Sequence, residues 1–142
     1  GGPNLKCALK IEEEARYLVE PGVEPYPVLP IKIFMEELKK IISTDALMDT
    51  GFDGAIVLSR SLGDFILDRV VRVEGFEELD AAGISIPCDT CILHVYVGGR
   101  WFKVRAHIPR MGDLGTILGR RVLNRLILCL RGPQRRVFLA KS

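Results

Sequence analysis

The stretch Leu47-Met48-Asp49-Thr50-Gly51-Phe52-Asp53-Gly54 decides how the rest of the chain is read. An apolar approach, Ala46-Leu47-Met48, runs into a tight polar turn, and the apolar run Ala55-Ile56-Val57-Leu58 leads out of it. A carboxylate at such a strand-to-turn transition is well placed to serve as a catalytic acid. Gly51 lets the backbone come close to a neighbour, and Thr50 supplies a hydroxyl that can lock the loop. Asp-Thr-Gly and Asp-Gly are also common turn formers, so the tripeptide taken alone reads first as a structural turn.

Working outward from this turn, the pattern is one of short strands separated by turn signals. Residues 27–34 read as a strand with Leu29, Ile31 and Ile33 on one face; 36–40 form a charged turn, and 41–48 return in extended form. Beyond the apolar run at 55–58, Ser59 is suited to cap a short helix through residue 67. Residues 70–73 read as a further strand and 75–83 as an acidic connection. The clearest hairpin joins 91–97 to 101–108 through Gly98-Gly99-Arg100, because Gly-Gly permits the positive φ of a primed two-residue turn. Trp101 and Phe102, adjacent on that hairpin, put one aromatic ring on each face. Residues 112–115 form a loop, 120–126 a short helix, and 127–130 and 136–140 the closing strands. The class expected is mostly β with one or two short helices. Residues 1–27 form an N-terminal extension whose Pro21-Gly22, Pro25 and Pro27 resemble a linker, ahead of a single domain at 28–142. Within the extension, residues 5–11 suit an edge strand, whereas Ala8, Ile11, Ala15 and Leu18 also recur at helical spacing.

Composition narrows the possibilities. The chain has 142 residues, of which 48% are hydrophobic, enough for one domain with a real core and too many for a disordered chain. Its longest apolar runs, at 126–130 and 55–58, fall far short of the roughly 20 residues a spanning helix needs. Glu12, Glu13 and Glu14 stand where a secretory signal would need an apolar core, so a cytoplasmic location away from membranes is expected. Charge is lopsided: residues 100–142 hold 11 Lys/Arg against Asp113 alone, while residues 1–99 hold 9 against 17 acidic groups. Complementation within one fold or a dimer accounts for this better than nucleic acid does, since no RNA or DNA motif accompanies the basic third. Cys88-Asp89-Thr90-Cys91 is at most half of a zinc site, and neither Cys7, Cys129, His94 nor His107 repeats the spacing, so no metal is expected. GxSxG, P-loop, GxGxxG and HExxH motifs are absent, Ser59 and Ser61 near Asp64 lack a histidine in sequence, and His94 and His107 read as plain strand residues.

The order of elements around Leu47-Met48-Asp49-Thr50-Gly51-Phe52-Asp53, followed some seventy residues later by Ile117-Leu118-Gly119-Arg120 opening a helix, resembles the retroviral-type (retropepsin-like) aspartic proteases and their small cellular relatives. The resemblance spans residues 28–139. It implies a single-lobe closed β-barrel acting as a symmetric homodimer, with Asp49 as the catalytic aspartate. Thr50 would interlock two active-site loops, Gly51 would offer its backbone to a peptide or protein substrate, and no cofactor would be needed. It further implies a charged bond between Asp53 and Arg120, the residue after Gly119, tying loop to helix. Two features depart from the family pattern. Phe52 stands where a small residue is usual and would crowd the substrate channel, and the flap, expected within 73–92, lacks a glycine-rich tip. Because the chain holds one Asp-Thr-Gly, a dyad of aspartates requires a second copy. A non-catalytic homodimeric peptide-binding module on the same fold is the alternative, with a basic nucleic-acid binder behind it.

Overall fold

The computed structural model describes residues 11–69, 73–81 and 83–140. Ten strands, β1 (Ile11–Arg16), β2 (Val28–Met35), β3 (Lys40–Met48), β4 (Ile56–Val57), β5 (Gly75–Ala81), β6 (Ile84–Val97), β7 (Arg100–Pro109), β8 (Ile117–Leu118), β9 (Ile127–Arg131) and β10 (Arg136–Ala140), are joined by two helices. These are α1 (Arg60–Arg69), between β4 and β5, and α2 (Arg120–Leu123), between β8 and β9.

Six strands close into a barrel in the order β2-β3-β8-β4-β7-β6, because β6 pairs back onto β2 through Lys32↔Tyr96, Ile33↔Val95 and Phe34↔His94. Strict alternation drives the closure. Leu29, Ile31 and Ile33 of β2 and Leu93, Val95 and Val97 of β6 all point inward and are fully buried. With a fully buried aliphatic side chain contributing about 1.5–3 kcal/mol, this stripe is a major stabilising element. The β6–β7 hairpin turns at Gly98 and Gly99, with φ of 60° and 76°, the left-handed values that glycine reaches without strain.

Helix α1 begins where Ser59 Oγ accepts the Leu62 N–H at 3.3 Å. It seals the barrel with Ile66, and Gly63 permits close packing, since a Cβ there would lie 2.7 Å from Ile108 Cγ2. Outside the barrel, β1, β10 and β9 form a three-stranded sheet that sends Val137 and Leu139 into the same core.

Three segments differ from the sequence expectation. Residues 75–81 are not a connection but a strand, β5, paired along its whole length with β6 from Gly75↔Thr90 to Ala81↔Ile84. Ile11–Arg16 is extended despite its helical spacing, because β10 offers it an edge from Ile11↔Ala140 to Arg16↔Arg136. Helix α2 stops at Leu123, with Arg125 and Leu126 held in turns by bonds to the Val122 and Leu123 carbonyls. The strand expected at 70–73 and the segment before Ile11 fall mostly outside the described residues. No described helix is long and apolar enough to cross a membrane.

Candidate functional site

Strand β8 is wedged between the two ends of the Asp49 turn. It runs parallel to β3, pairing Leu47↔Ile117 and Met48↔Leu118, and antiparallel to β4, pairing Ile56↔Leu118 and Val57↔Ile117. The chain therefore leaves one side of β8 at Asp49 and returns on the other at Ile56. The loop between is fixed almost wholly by backbone bonds. Asp49 N–H donates to the Leu118 carbonyl at 2.9 Å, Gly119 N–H to Ala55 at 2.9 Å, Arg120 N–H to Phe52 at 2.8 Å and Arg121 N–H to Gly54 at 3.1 Å.

Asp49 is half-buried, and its Oδ1 accepts the Gly51 N–H at 2.8 Å. A Cβ on residue 51 would sit 3.1 Å from that oxygen, so glycine is the residue that lets backbone and carboxylate meet. Thr50 is exposed, and its hydroxyl has no partner among the described residues. Gly119 is fixed by contact too: a Cβ there would fall on the Gly54 carbonyl oxygen and 2.8 Å from that of Phe52.

One expectation from sequence is corrected here. Asp53 and Arg120 form no ion pair with each other among the described residues, and both are exposed; loop and helix are tied by the Arg120 N–H instead. The Phe52 ring folds back over Gly54 and Gly119, meets the His107 ring edge-on at 5.9 Å and forms part of a groove wall.

That groove, about 780 Å³ in volume, runs from Phe52, Asp53 and Gly54 to Glu77, Glu78 and Leu79 of β5. Hairpin β5–β6 occupies the region where the flap was expected. Its β6 arm pairs with β7 through the backbone from Cys88↔Pro109 onward, whereas its β5 arm is tied to β7 by side chains: Glu77 Oε1 accepts Arg105 Nη1 at 2.7 Å, and its Oε2 lies 2.7 Å from His107 Nε2. The hydrogen bonds from His107 and, next, Arg105 hold the Glu77 carboxyl below its ordinary range. His107 is buried, and its other nitrogen, Nδ1, has no hydrogen-bond partner among the described residues. Farther along, Arg110 bonds Asp89 at 2.8 Å and lies over the Phe76 ring, while Ser85 donates to Glu78. The sequence offered one usable sign of this cluster: Arg105 and His107 share a face of β7 at the two-residue strand period.

Cys88 and Cys91 both lie on β6, three residues apart, which puts them on opposite faces of the strand; both are buried, Cys91 within the main hydrophobic cluster and Cys88 outside it. Both are free, and burial pushes each thiol up to about 11. No group of three or more His, Cys, Asp or Glu among the described residues is placed to hold a metal ion.

Comparison with solved structures agrees with the architecture. A retropepsin-like aspartic protease from Rickettsia conorii superposes with a TM-score of 0.57 at 17% identity, covering 90% of this chain and 99% of that one. EIAV protease in complex with the inhibitor HBY-793 matches 75% of this chain and 93% of its own length at 20% identity, with a TM-score of 0.48. No family model and no curated protein matches the chain. The chain thus has the retropepsin-like fold, a mostly β closed barrel with two helices.

Proposed function

We propose that this chain is an aspartic-type endopeptidase whose catalytic pair forms from Asp49 of two copies across a two-fold axis. The observation that carries this reading is the Asp49 loop itself. On the retropepsin-like fold, a half-buried carboxylate is held by the Gly51 N–H on a turn that β8 and α2 fix from both sides.

Peptide hydrolysis by this chemistry uses two carboxylates about 3 Å apart that cannot both ionise; the charged one activates a water and the protonated one donates to the carbonyl oxygen. One Asp-Thr-Gly per chain makes the dimer obligatory. The unpartnered Thr50 hydroxyl beside Asp49 is then available to the facing loop, and Gly51 can offer its backbone to substrate. We place the dimer contact on the β1-β10-β9 sheet, whose outer strand β9 exposes Leu130. Loss of the dimer on deleting residues 132–142 is the expected outcome, and dimers that survive the deletion would refute this placement.

Phe52 favours a second reading. Its ring occupies the groove wall, as suits a homodimeric module that holds a peptide without cutting it. The two readings part on one experiment, cleavage of a mixed peptide library from about pH 3 to pH 7, where a shared-proton dyad works. The endopeptidase reading expects cutting by the wild type, and none by Asp49→Asn or in the presence of a transition-state analogue. Failure of the dimeric wild type to cut would leave the binding module.

A further inference from the structure

The groove beside the Asp49 loop is lined by charges of both signs, of which the carboxylates are partly engaged and three cations are not. Near the loop and the hairpin lie Asp53, Glu77 and Glu78, with Glu77 already engaged by Arg105 and His107. Lys103 of β7 and Arg121 and Arg125, on and just after α2, line the same groove, all exposed and none with an ion-pair partner among the described residues. Arg100 adds a fourth cation beside them: its Nη1 donates to the Arg125 carbonyl at 3.2 Å and its guanidinium lies over the Phe102 ring, with no ion-pair partner among the described residues.

We infer that these unpaired cations form a specificity subsite for acidic side chains of a protein substrate, set outward from the bond that is cut. The inference rests on the endopeptidase reading and adds its substrate class. A peptide lying in the groove meets exposed cations that have no ion-pair partner among the described residues, so carboxylates outward of the cut bond fit them. A nucleic acid fits less well, because its unbroken row of phosphates would also have to pass Asp53 and Glu78.

The test uses the full-length protein and three peptides that share a cleaved sequence taken from the library, extended at both ends by Glu-Glu-Glu, Gln-Gln-Gln or Lys-Lys-Lys. With several exposed charge pairs each of modest strength, the Glu-tailed peptide should show a KM about tenfold below the Gln-tailed one at low salt. The advantage should shrink as salt rises, with kcat little changed. The double variant Arg121→Glu/Arg125→Glu should reverse the order of the Glu- and Lys-tailed peptides, an internal comparison that a general loss of fold cannot mimic. Equal KM for all three peptides, or an order the variant leaves unchanged, would overturn the inference while leaving the endopeptidase reading intact. If no peptide is cut, binding of the same three to Asp49→Asn by fluorescence anisotropy decides it separately: a preference for the Glu tail supports the subsite, and no preference refutes it. Single-stranded RNA binding the wild type more tightly than the Glu-tailed peptide, and weakened by the same variant, would assign these cations to nucleic acid instead.

Discussion

The two walls of the groove are built on different principles. The Asp49 loop is pinned by backbone N–H groups of Gly119, Arg120 and Arg121 and by a glycine whose place no larger residue can take. Strand β5, by contrast, runs its backbone ladder only to β6, and its tie to β7 is made by the Glu77, Arg105 and His107 side chains. Backbone bonds do not titrate between pH 3 and pH 8, whereas carboxylate ties do. A rigid floor and a releasable roof follow from that difference, and this suits a cleft that must hold one carboxylate still and yet admit a chain.

Damage to the floor should have the largest effect. Gly119→Ala places a methyl against two carbonyl oxygens that cannot move without breaking the loop, an overpacking expected to cost about 1–3 kcal/mol or more. For a chain of this size the melting temperature should fall by at least about 3 °C. A variant that melts like the wild type in calorimetry would show that the floor is looser than its geometry says.

The roof should respond to Glu77→Gln with a smaller change in stability, since the pair is surface-lying, but with a clear local one. Amide exchange in β5 should quicken while the Asp49 and Leu118 amides keep their protection. Uniform acceleration across both walls would mean that they open together. Acid should act in the same direction. Because the Glu77 carboxyl is held below its ordinary value in the fold, its contribution is complete above the unfolded-state pKa of about 4.3 and is lost as pH falls through the lowered folded value. Exchange in β5 should therefore rise steeply below about pH 4, and Glu77→Gln should flatten that rise; an unaltered profile in the variant would assign the titration elsewhere.

The smallest effect is also the most local. Cys88 stands opposite Glu77 in the β5–β6 register, whereas Cys91 belongs to the core. Both thiols, at about 11, are almost fully protonated at pH 8 and should alkylate slowly in the native protein. In Glu77→Gln, Cys88 should gain reactivity over Cys91 by a few-fold. Equal labelling of the two, read by mass spectrometry, would place the weak point outside the hairpin.

The same contrast explains what was legible in the sequence. The barrel declares itself through Leu29, Ile31 and Ile33 and through Gly98-Gly99, because one face of each strand must be apolar and one turn must have positive φ. The Asp49 loop and Gly119 are legible because close backbone approach selects glycine. Strand β5 was hidden because it hangs on β6 outside the barrel: Phe76 is exposed, Glu77 and Glu78 are charged, and a strand with no core face leaves no period to read. The tie between loop and helix was misassigned to Asp53 and Arg120 because a bond made by a backbone N–H leaves no mark on residue identity. At the N-terminus, Ile11, Ala15 and Leu18 fit a helix in isolation, and the free edge of β10 overrode that preference.

The central claim is that the working unit takes one Asp49 from each of two chains. Mixing wild type with an equal amount of Asp49→Asn, under conditions where subunits exchange, tests it directly. Random pairing leaves about a quarter of the dimers with two aspartates, so specific activity per total protein should fall to about a quarter of the wild-type value. Retention of about a half after full exchange would show that each chain works alone, and would contradict a shared pair.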